Sequence, residues 1–579
     1  MMSGYDNPSV AAVLDNVGDL LEIAGESTFR VLSYHKAAHA LRSFPVDVNT
    51  LVAQGRVQEI PGVGSKLAAS IAALLSTGGF PELETLSASL PLTLTQLLEV
   101  PGLGPKKIKV LYGQLDIASI DDLEVAIAGG RLNGLPGFGA KTVVNLTAGI
   151  EAFRRHHERS LISTALPMAE RIVAMLGDLD GVEAAAYTGS VRRHCETVGD
   201  VDVLVVSTRP EIVMQAAREM PRTARVVVSG ETKTSVLSAD GIQVDVEVVA
   251  PDDYGAALQQ STGSVEHNIA LREIATSRGL KLSEHGVFRL DTGQRVAGRA
   301  EEDVYAALGM ATPPPELREN TGELEAALAG TLPRLITRAD LLGDLHMHTL
   351  ATDGKSTIEQ TRARAAELGY RYIAITDHAE RLRMVGGLDL DALERQWEHI
   401  DELNALSDGP YILKGIELNI DDDGEVDYPA DVLARFDITL ASLHSGWGQN
   451  REVATRRLLR VMDNPFVDVI GHPTGRILGR RDPIDLDMEA VLTRAAETGT
   501  AMELNAYPDR LDLSDVHLRM ARRLGVSISL GTDSHEASQL SNIEYGIVQA
   551  RRGWLEPSDV LNCCSLDQLQ ARLKRARSH

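Results

Sequence analysis

Three kinds of hydrophobic pattern follow one another along the chain. Up to about residue 155 the apolar positions recur at helical spacing, as in Leu67-Ala68-Ala69-Ser70-Ile71-Ala72-Ala73-Leu74-Leu75, and predict an all-helical region. The middle of the chain changes to a two-residue period. The β-branched run Asp200-Val201-Asp202-Val203-Leu204-Val205-Val206 predicts a strand with both aspartates on one face. Thr234–Ala239 and Ile242–Val249 flank Asp240-Gly241 and predict a hairpin with a two-residue turn. On its second strand Asp245 and Glu247 share one face, and Val244, Val246 and Val248 the other. After the break Thr312-Pro313-Pro314-Pro315 and a short helical connector, brief apolar strands alternate with helical stretches to the end. That last pattern predicts a β/α barrel.

The length of 579 residues exceeds what one core can serve and supports this division. With 44% hydrophobic, 24% charged and 4% aromatic residues, the chain is globular rather than disordered or fibrous. Its three cysteines, Cys195, Cys563 and Cys564, are too few and too badly spaced for a disulfide framework or a thiolate zinc site. No apolar stretch reaches the roughly 18 residues that a membrane span needs, and the start lacks a secretion pattern. A cytoplasmic monomer away from membranes is expected.

The net charge of −25 at first disfavours a nucleic-acid partner. The deficit is uneven, however: about −3 in residues 1–160, about −9 in 161–320 and about −13 beyond. The surplus falls where carboxylates recur in pairs, so it fits either a solvated surface or cation binding.

A motif repeats three times in the helical region: Ile60-Pro61-Gly62-Val63-Gly64-Ser65-Lys66, Val100-Pro101-Gly102-Leu103-Gly104-Pro105-Lys106 and Leu135-Pro136-Gly137-Phe138-Gly139-Ala140-Lys141. Two glycines permit a tight turn that leaves backbone N–H groups free at a helix N-terminus, where an anion binds well. One such turn is only a turn, and no strand precedes it as a dinucleotide or P-loop site would require. Three copies resemble helix-hairpin-helix motifs, which hold DNA by its phosphates. That resemblance assigns Gly62, Gly64, Lys66, Gly102, Gly104, Gly137 and Gly139 to DNA contact.

Carboxylates crowded on strand faces repel one another unless cations lie between them. Two divalent ions clamping a triphosphate would use such a face, although a wet strand face alone explains a single Asp-x-Asp. Here Gly189-Ser190-Val191-Arg192-Arg193 precedes Gly199-Asp200-Val201-Asp202, which is similar to the nucleotidyltransferase signature. The flanking residues resemble the X family of DNA polymerases. The resemblance implies that Gly189, Ser190, Arg193 and Gly199 hold an incoming dNTP. It implies further that Asp200 and Asp202 bind Mg²⁺ or Mn²⁺, with Asp245 beside them activating the primer 3′ hydroxyl. Thr262, Gly263 and Asn268 would contact the nucleotide, and Arg272 the DNA. Lys36 matches a phosphate-binding lysine of the family.

Departures from the family pattern carry consequences. Gln260 and Ser261 stand where the family has a Tyr-Phe pair that screens out ribonucleotides. Glu247 replaces a common Arg, which favours metal attraction over triphosphate attraction. Ser70 replaces the lysine that serves as lyase nucleophile, and a serine forms no Schiff base.

The barrel pattern places polar residues at the ends of its strands: His346 and His348, Asp353, His378, Glu417, His444, His472, Asp533 and His535. Strand C-terminal ends are where β/α barrels collect their chemistry. A lone histidine there would be an ordinary hydrogen-bonded residue. The set of nine resembles the PHP (polymerase and histidinol phosphatase) domain, in which these positions bind up to three divalent ions. Mixed imidazole and carboxylate donors favour Mn²⁺, Zn²⁺ or Fe²⁺. Clustered metals suit phosphoester hydrolysis, and the resemblance implies 3′-5′ exonuclease activity. By contrast, Asn419-Ile420-Asp421-Asp422-Asp423-Gly424 only begins like a calcium loop, because Ala430 stands at the closing position.

The expected architecture is multidomain α+β and α/β. It comprises a helical lyase-like region (1–90), a fingers-like region (91–155), a nucleotidyltransferase palm with a mixed sheet (156–250), a small thumb (251–312), a linker (313–338) and a distorted β/α barrel (339–579). The expected function is repair synthesis on gapped or nicked DNA with dNTPs, joined to 3′-5′ degradation. Two rivals stay open: a nuclease whose polymerase half is only a DNA-binding platform, and a small-molecule phosphatase.

Overall fold

A computed structural model describes residues 7–573, apart from 43, 45–47, 88–89, 101, 133 and 158, and apart from the side chains of 8, 39, 42, 99, 140, 148 and 151–157. Pro101 of the second repeat thus lies outside the described residues. The chain forms two compact units, Met1–His157 and Glu158–His579.

The first unit is helical because its apolar residues fall on single helix faces. Helix Asn7–Ala24 buries Val10, Leu14, Val17 and Leu21, and helix Ser65–Thr77 buries Ile71 and Leu74 in the same cluster. A second cluster gathers Leu97, Val100, Leu103, Ile108, Leu111, Leu123, Phe138 and Leu146. The three repeats share one build. Gly62, Gly102 and Gly137 adopt φ of 85°, 90° and 86°, a conformation that glycine reaches without steric cost. Val63, Leu103 and Phe138 then point into the core. Gly64 and Gly104 cap helices Ser65–Thr77 and Pro105–Leu115, and helix Ala140–His157 follows Gly139.

The second unit opens with a five-stranded sheet in the order Val182–Tyr187, Asp200–Ser207, Gln243–Val249, Lys233–Ser238, Thr223–Ser229. Val201, Val203 and Val205 on one strand and Val244, Val246 and Val248 on its parallel neighbour pack against Met168, Leu176, Val213 and Met214 of two helices. The aspartates therefore emerge on the opposite face, as the alternation predicts. The hairpin differs from expectation by one residue. Ser238 N–H donates to Ile242 O at 2.9 Å and Gly241 N–H to Ser238 O at 3.0 Å, so the loop is Ala239-Asp240-Gly241 with Gly241 at φ 80°. A three-residue loop ending in left-handed glycine matches strand twist as well as the two-residue turn does.

A small three-stranded antiparallel sheet, Leu280–Ser283, Gly286–Arg289 and Arg295–Ala297, follows with helices Tyr254–Thr262, Val265–Ser277 and Glu301–Ala307. Residues 313–338, expected as a linker, are packed instead. Leu324 and Ala327 join the apolar cluster of this subdomain, Arg318 is fully buried against Glu301, and Glu323 pairs with buried His267 at 2.7 Å.

Seven parallel strands in chain order then form a nearly closed barrel: Gly343–Asp344, Tyr372–Ile375, Tyr411–Asn419, Ile438–Ser442, Val469–Gly471, Ala501–Asn505 and Ile528–Gly531. The first and last strands meet through Leu345 N–H to Leu530 O at 3.4 Å, Asp533 N–H to His346 O at 2.9 Å and His348 N–H to Ser534 O at 2.8 Å. Buried Asn562 completes the seam. Its amide donates to Gly343 O at 2.9 Å and to Leu530 O at 2.8 Å, and it accepts from Leu530 N–H at 2.7 Å.

Candidate metal centres and nucleotide site

All nine histidine and carboxylate positions converge at one end of the barrel. Three groups have donor atoms close enough to share an ion: His348, Asp353, His378 and His535; His346, His348 and Asp533; His378, Glu417 and His444. His348 and His378 each belong to two groups, so the three form one continuous site. Glu417 lies at its centre, 2.9 Å from His472 Nε2 and 3.2 Å from His444 Nε2. Asp533 Oδ1 stands 3.2 Å from His348 Nε2, and Asp353 Oδ2 is 3.4 Å from both His378 Nε2 and His535 Nε2.

A supporting shell turns these rings inward. Glu503 Oε1 lies 2.6 Å from His346 Nδ1, Asn419 Oδ1 2.7 Å from His444 Nδ1, and the Asp533 carbonyl 2.8 Å from His535 Nδ1. Each partner fixes the ring so that Nε2 faces the cluster. The other oxygen of Glu503 accepts the His472 N–H. Gly531 makes room for this arrangement, since a Cβ there would overlap His346 and Glu503. His472 and Asp533 sit at φ 24° and 51°, strained values for residues with side chains and typical of sites that impose a geometry.

Electrostatics fit the same purpose. Burial alone would keep His346 neutral, but Glu503, Asp533 and Glu417 raise its pKa well above the ordinary value. Burial likewise opposes ionisation of Glu417, and His444, His378 and His346 overcome it and hold the carboxyl well below its usual range. The buried Nδ1 atoms of His348 and His472 lack hydrogen-bond partners among the described residues, while His378 Nδ1 lies 2.9 Å from Glu417 Oε2. Orphaned imidazole nitrogens among carboxylates are a donor set suited to divalent transition ions.

Arg510, which the sequence pattern did not single out, reaches this site: its Nε is 3.3 Å from Asp533 Oδ2. Its Nη1 is buried with no partner among the described residues. The acidic loop after Glu417 closes on itself, as expected. Asp421 Oδ1 accepts from the N–H groups of Asp423 and Glu425 at 3.0 and 2.8 Å, and Asn419 serves His444 instead.

In the five-stranded sheet Asp202 lies directly opposite Asp245 in parallel register, with Asp200 one pleat away and Glu247 exposed beyond. Burial, then the Asp200 and Asp245 charges, push the Asp202 carboxyl up to about 7. Asp200 is raised as well, by burial and then by Asp245. Lys233 places its Nζ 3.2 Å from Asp245 Oδ2, and the Arg159 charge also offsets Asp200. The carboxyls of Asp200 and Asp202 stay raised despite these cations, which leaves room for further positive charge.

Gly189 starts the short helix Gly189–Arg192 at φ 59°, and a side chain there would overlap the Asp202 carboxylate. Ser190 follows it on the same turn, and Gly199 is exposed just before Asp200. Arg193 crosses to the Thr262-Gly263 turn, where its Nη1 donates to the Thr262 carbonyl. Arg193 and the Thr262-Gly263 turn are thus brought together, as are Gly189 and Asp202. Asn268 accepts from Gln259 at 2.8 Å and donates to the Gln260 carbonyl at 2.8 Å, bracing that turn from within. Arg272 lies exposed on helix Val265–Ser277, and in the first unit Lys36 and Lys66 are exposed beside the Gly62 turn.

A histidine–carboxylate barrel joined to an acidic-faced sheet with a Gly-Ser turn defines a metal-dependent phosphoesterase coupled to a nucleotidyltransferase. Comparison with known proteins carries this further. Family profiles match for a helix-hairpin-helix domain at residues 5–80, a SAM-like helix-hairpin-helix tandem at 94–152, the DNA polymerase beta thumb at 257–319 and the PHP domain at 344–506. The chain is 36% identical to the DNA polymerase/3′-5′ exonuclease PolX of Bacillus subtilis over 568 residues, 98% of this chain and 99% of that protein. It belongs to that family of X-type polymerases with a PHP exonuclease domain. A probable phosphatase of Syntrophotalea carbinolica is 32% identical over 232 residues, and one of Thermoanaerobacter sp. 30% over 233. Each covers only 38% of this chain. Among the described residues no helix is long and apolar enough to cross a membrane.

Proposed function

We propose that this chain extends 3′ ends of gapped or nicked DNA with dNTPs on the sheet face and removes 3′ nucleotides at the barrel. The observation that carries the reading is the presence of both constellations in one chain: Asp202 in register with Asp245, and eight donors merged into one barrel site that His472 joins through Glu417.

In synthesis, Asp200 and Asp202 hold Mg²⁺ or Mn²⁺. Asp245 accepts the proton of the primer 3′ hydroxyl as its oxygen attacks the α-phosphate and pyrophosphate leaves. Gly189, Ser190 and Gly199 offer a backbone cradle, Arg193 meets the triphosphate, and Thr262 and Gly263 line the sugar side. In degradation, His346, His348, Asp353, His378, Glu417, His444, His472, Asp533 and His535 hold up to three Mn²⁺, Zn²⁺ or Fe²⁺ ions. Such ions activate water and stabilise the leaving oxygen. The free Nη1 of Arg510 donates to a non-bridging oxygen of the scissile phosphate, an acceptor that a guanidinium binds strongly. The hairpins, with Lys36 and Lys66, take backbone phosphates, and Arg272 meets the DNA. The domain limits are those set out from the sequence, except that 313–338 belongs with the thumb. A cytoplasmic monomer goes with this reading, and sedimentation checks the monomeric state.

The test is a 5′-labelled primer in a one-nucleotide gap with Mn²⁺. Longer products with dNTPs and shorter ones without are expected. Shortening in both lanes would leave only a DNA 3′-end nuclease. Hydrolysis confined to free phosphomonoesters would favour the phosphatase reading that the barrel's partial relatives raise.

A further inference from the structure

We infer that Arg552, on the barrel's helix Ile543–Arg552, is a positioning residue for the polymerase nucleotide site and acts through Glu319 on Arg193. The inference rests on the proposed role of Arg193 in holding the triphosphate.

Arg193 is held along one edge. Its Nε donates to Glu319 Oε1 at 3.0 Å and its Nη1 to the Thr262 carbonyl, while among the described residues Nη2 has only the Cys195 sulfur at 3.9 Å. The same Glu319 oxygen accepts from Arg552 Nη1 at 3.1 Å. That Nη1 also donates to the Arg193 main-chain carbonyl at 2.8 Å, so Arg552 grips both the backbone of Arg193 and the carboxylate that orients its side chain. Asp515 Oδ2 anchors the far end of Arg552 at 2.7 Å. Charges alternate along the row Arg193, Glu319, Arg552, Asp515, and both arginine side chains are nearly buried, at 14% and 8% exposure. Burial weakens water's competition for these contacts and lets the row fix a direction.

The geometry leaves the Nη edge of Arg193 facing Thr262-Gly263, where a Cβ on Gly263 would stand 2.9 Å from Nη1. Without Arg552, Glu319 loses one of its two guanidinium donors and swings with Arg193. The guanidinium then reaches a triphosphate from many orientations rather than one, which weakens nucleotide binding more than the chemical step. A second barrel contact, Arg476 to Glu196 at 2.6 Å, holds the same loop, but Arg476 also grips the Arg510 carbonyl at 2.9 Å and so touches both sites. Arg552 separates them cleanly.

The test measures single-nucleotide incorporation and 3′ degradation by full-length Arg552→Gln, Arg552→Lys, Glu319→Gln, Arg193→Ala and the double variant Arg193→Ala/Arg552→Gln. Arg193→Ala is expected to raise the dNTP KM at least about tenfold, and Arg552→Gln about fivefold with kcat within about twofold. Degradation should stay unchanged in Arg552→Gln, and Arg552→Lys should recover part of the loss. The double variant should be no worse than Arg193→Ala alone, because the two residues act as one unit. Additive losses, or a normal KM in Arg552→Gln beside a raised one in Arg193→Ala, would overturn the relay. An unchanged KM in Arg193→Ala would instead refute the nucleotide role on which it rests. If Arg552→Gln fails to fold, Glu319→Gln gives the same reading with the same outcomes.

Discussion

The two acidic centres of this chain are built on opposite principles. On the sheet, Asp200, Asp202 and Asp245 face one another, Lys233 and Arg159 offset them only in part, and Asp202 is pushed up to about 7. In the barrel, carboxylates and imidazoles alternate, Glu417 is held well below its usual range, and an outer shell of Glu503 and Asn419 sets the ring orientations. In the proposed function the first centre is unfinished until a nucleotide arrives with its ions. The second is finished before any substrate comes. Metal should therefore exchange readily at the sheet and be retained at the barrel.

The sharpest way to break this comparison is to disable each centre alone. Asp245→Asn should cut primer extension by about a thousandfold and leave 3′ degradation intact. His346→Ala/His348→Ala should do the reverse, and equal loss of both activities in either variant would remove the two-site description. Next in size, Glu503→Gln should lower the barrel's metal affinity about 10- to 100-fold, read by metal analysis after dialysis, with no change in extension. A smaller effect sharpens the sheet side. In metal-free protein the folded Asp202, near 7, keeps a proton that the unfolded carboxyl, near 3.8, releases. Stability is therefore lost as pH rises from about 4 to about 7 and is level above that. Asp202→Asn should melt higher than the parent at pH 8, with the gain vanishing toward pH 4 and with added Mn²⁺. The smallest effect concerns the sugar. With Gln260 engaged by Glu284 at 3.3 Å and only Ser261 beside it, the dNTP-to-rNTP ratio of kcat/KM should not exceed about 100.

The strand-end histidines were legible because a barrel converts a sequence pattern directly into proximity. Each donor needed only to follow a short apolar strand. Glu503 was not, since Ala501-Met502-Glu503-Leu504-Asn505 reads as a buried strand like its neighbours. Asp200, Asp202 and Asp245 were legible from alternation, whereas the extra residue of the Ala239–Gly241 loop depends on hydrogen bonds that Asp-Gly alone does not specify. A further role of Asn268 could not be read from the sequence: helix Val265–Ser277 turns its amide onto Gln259 and the Gln260 carbonyl. The connector 313–338 looked like a break because of its prolines. Its buried Arg318 and Glu323 answer to partners that only the folded thumb brings close.

The seam of the barrel bears on how the molecule is made. Asn562 stitches Gly343 across a span of 219 residues, so closing the ring must wait until that stretch of chain has left the ribosome. The sheet pairs entirely within residues 182–249 and can assemble long before. His346 and Asp533 lie at that same seam, joined by one of the hydrogen bonds that close it. A nascent chain thus acquires its synthetic scaffold early and its means of degradation only near the end of translation.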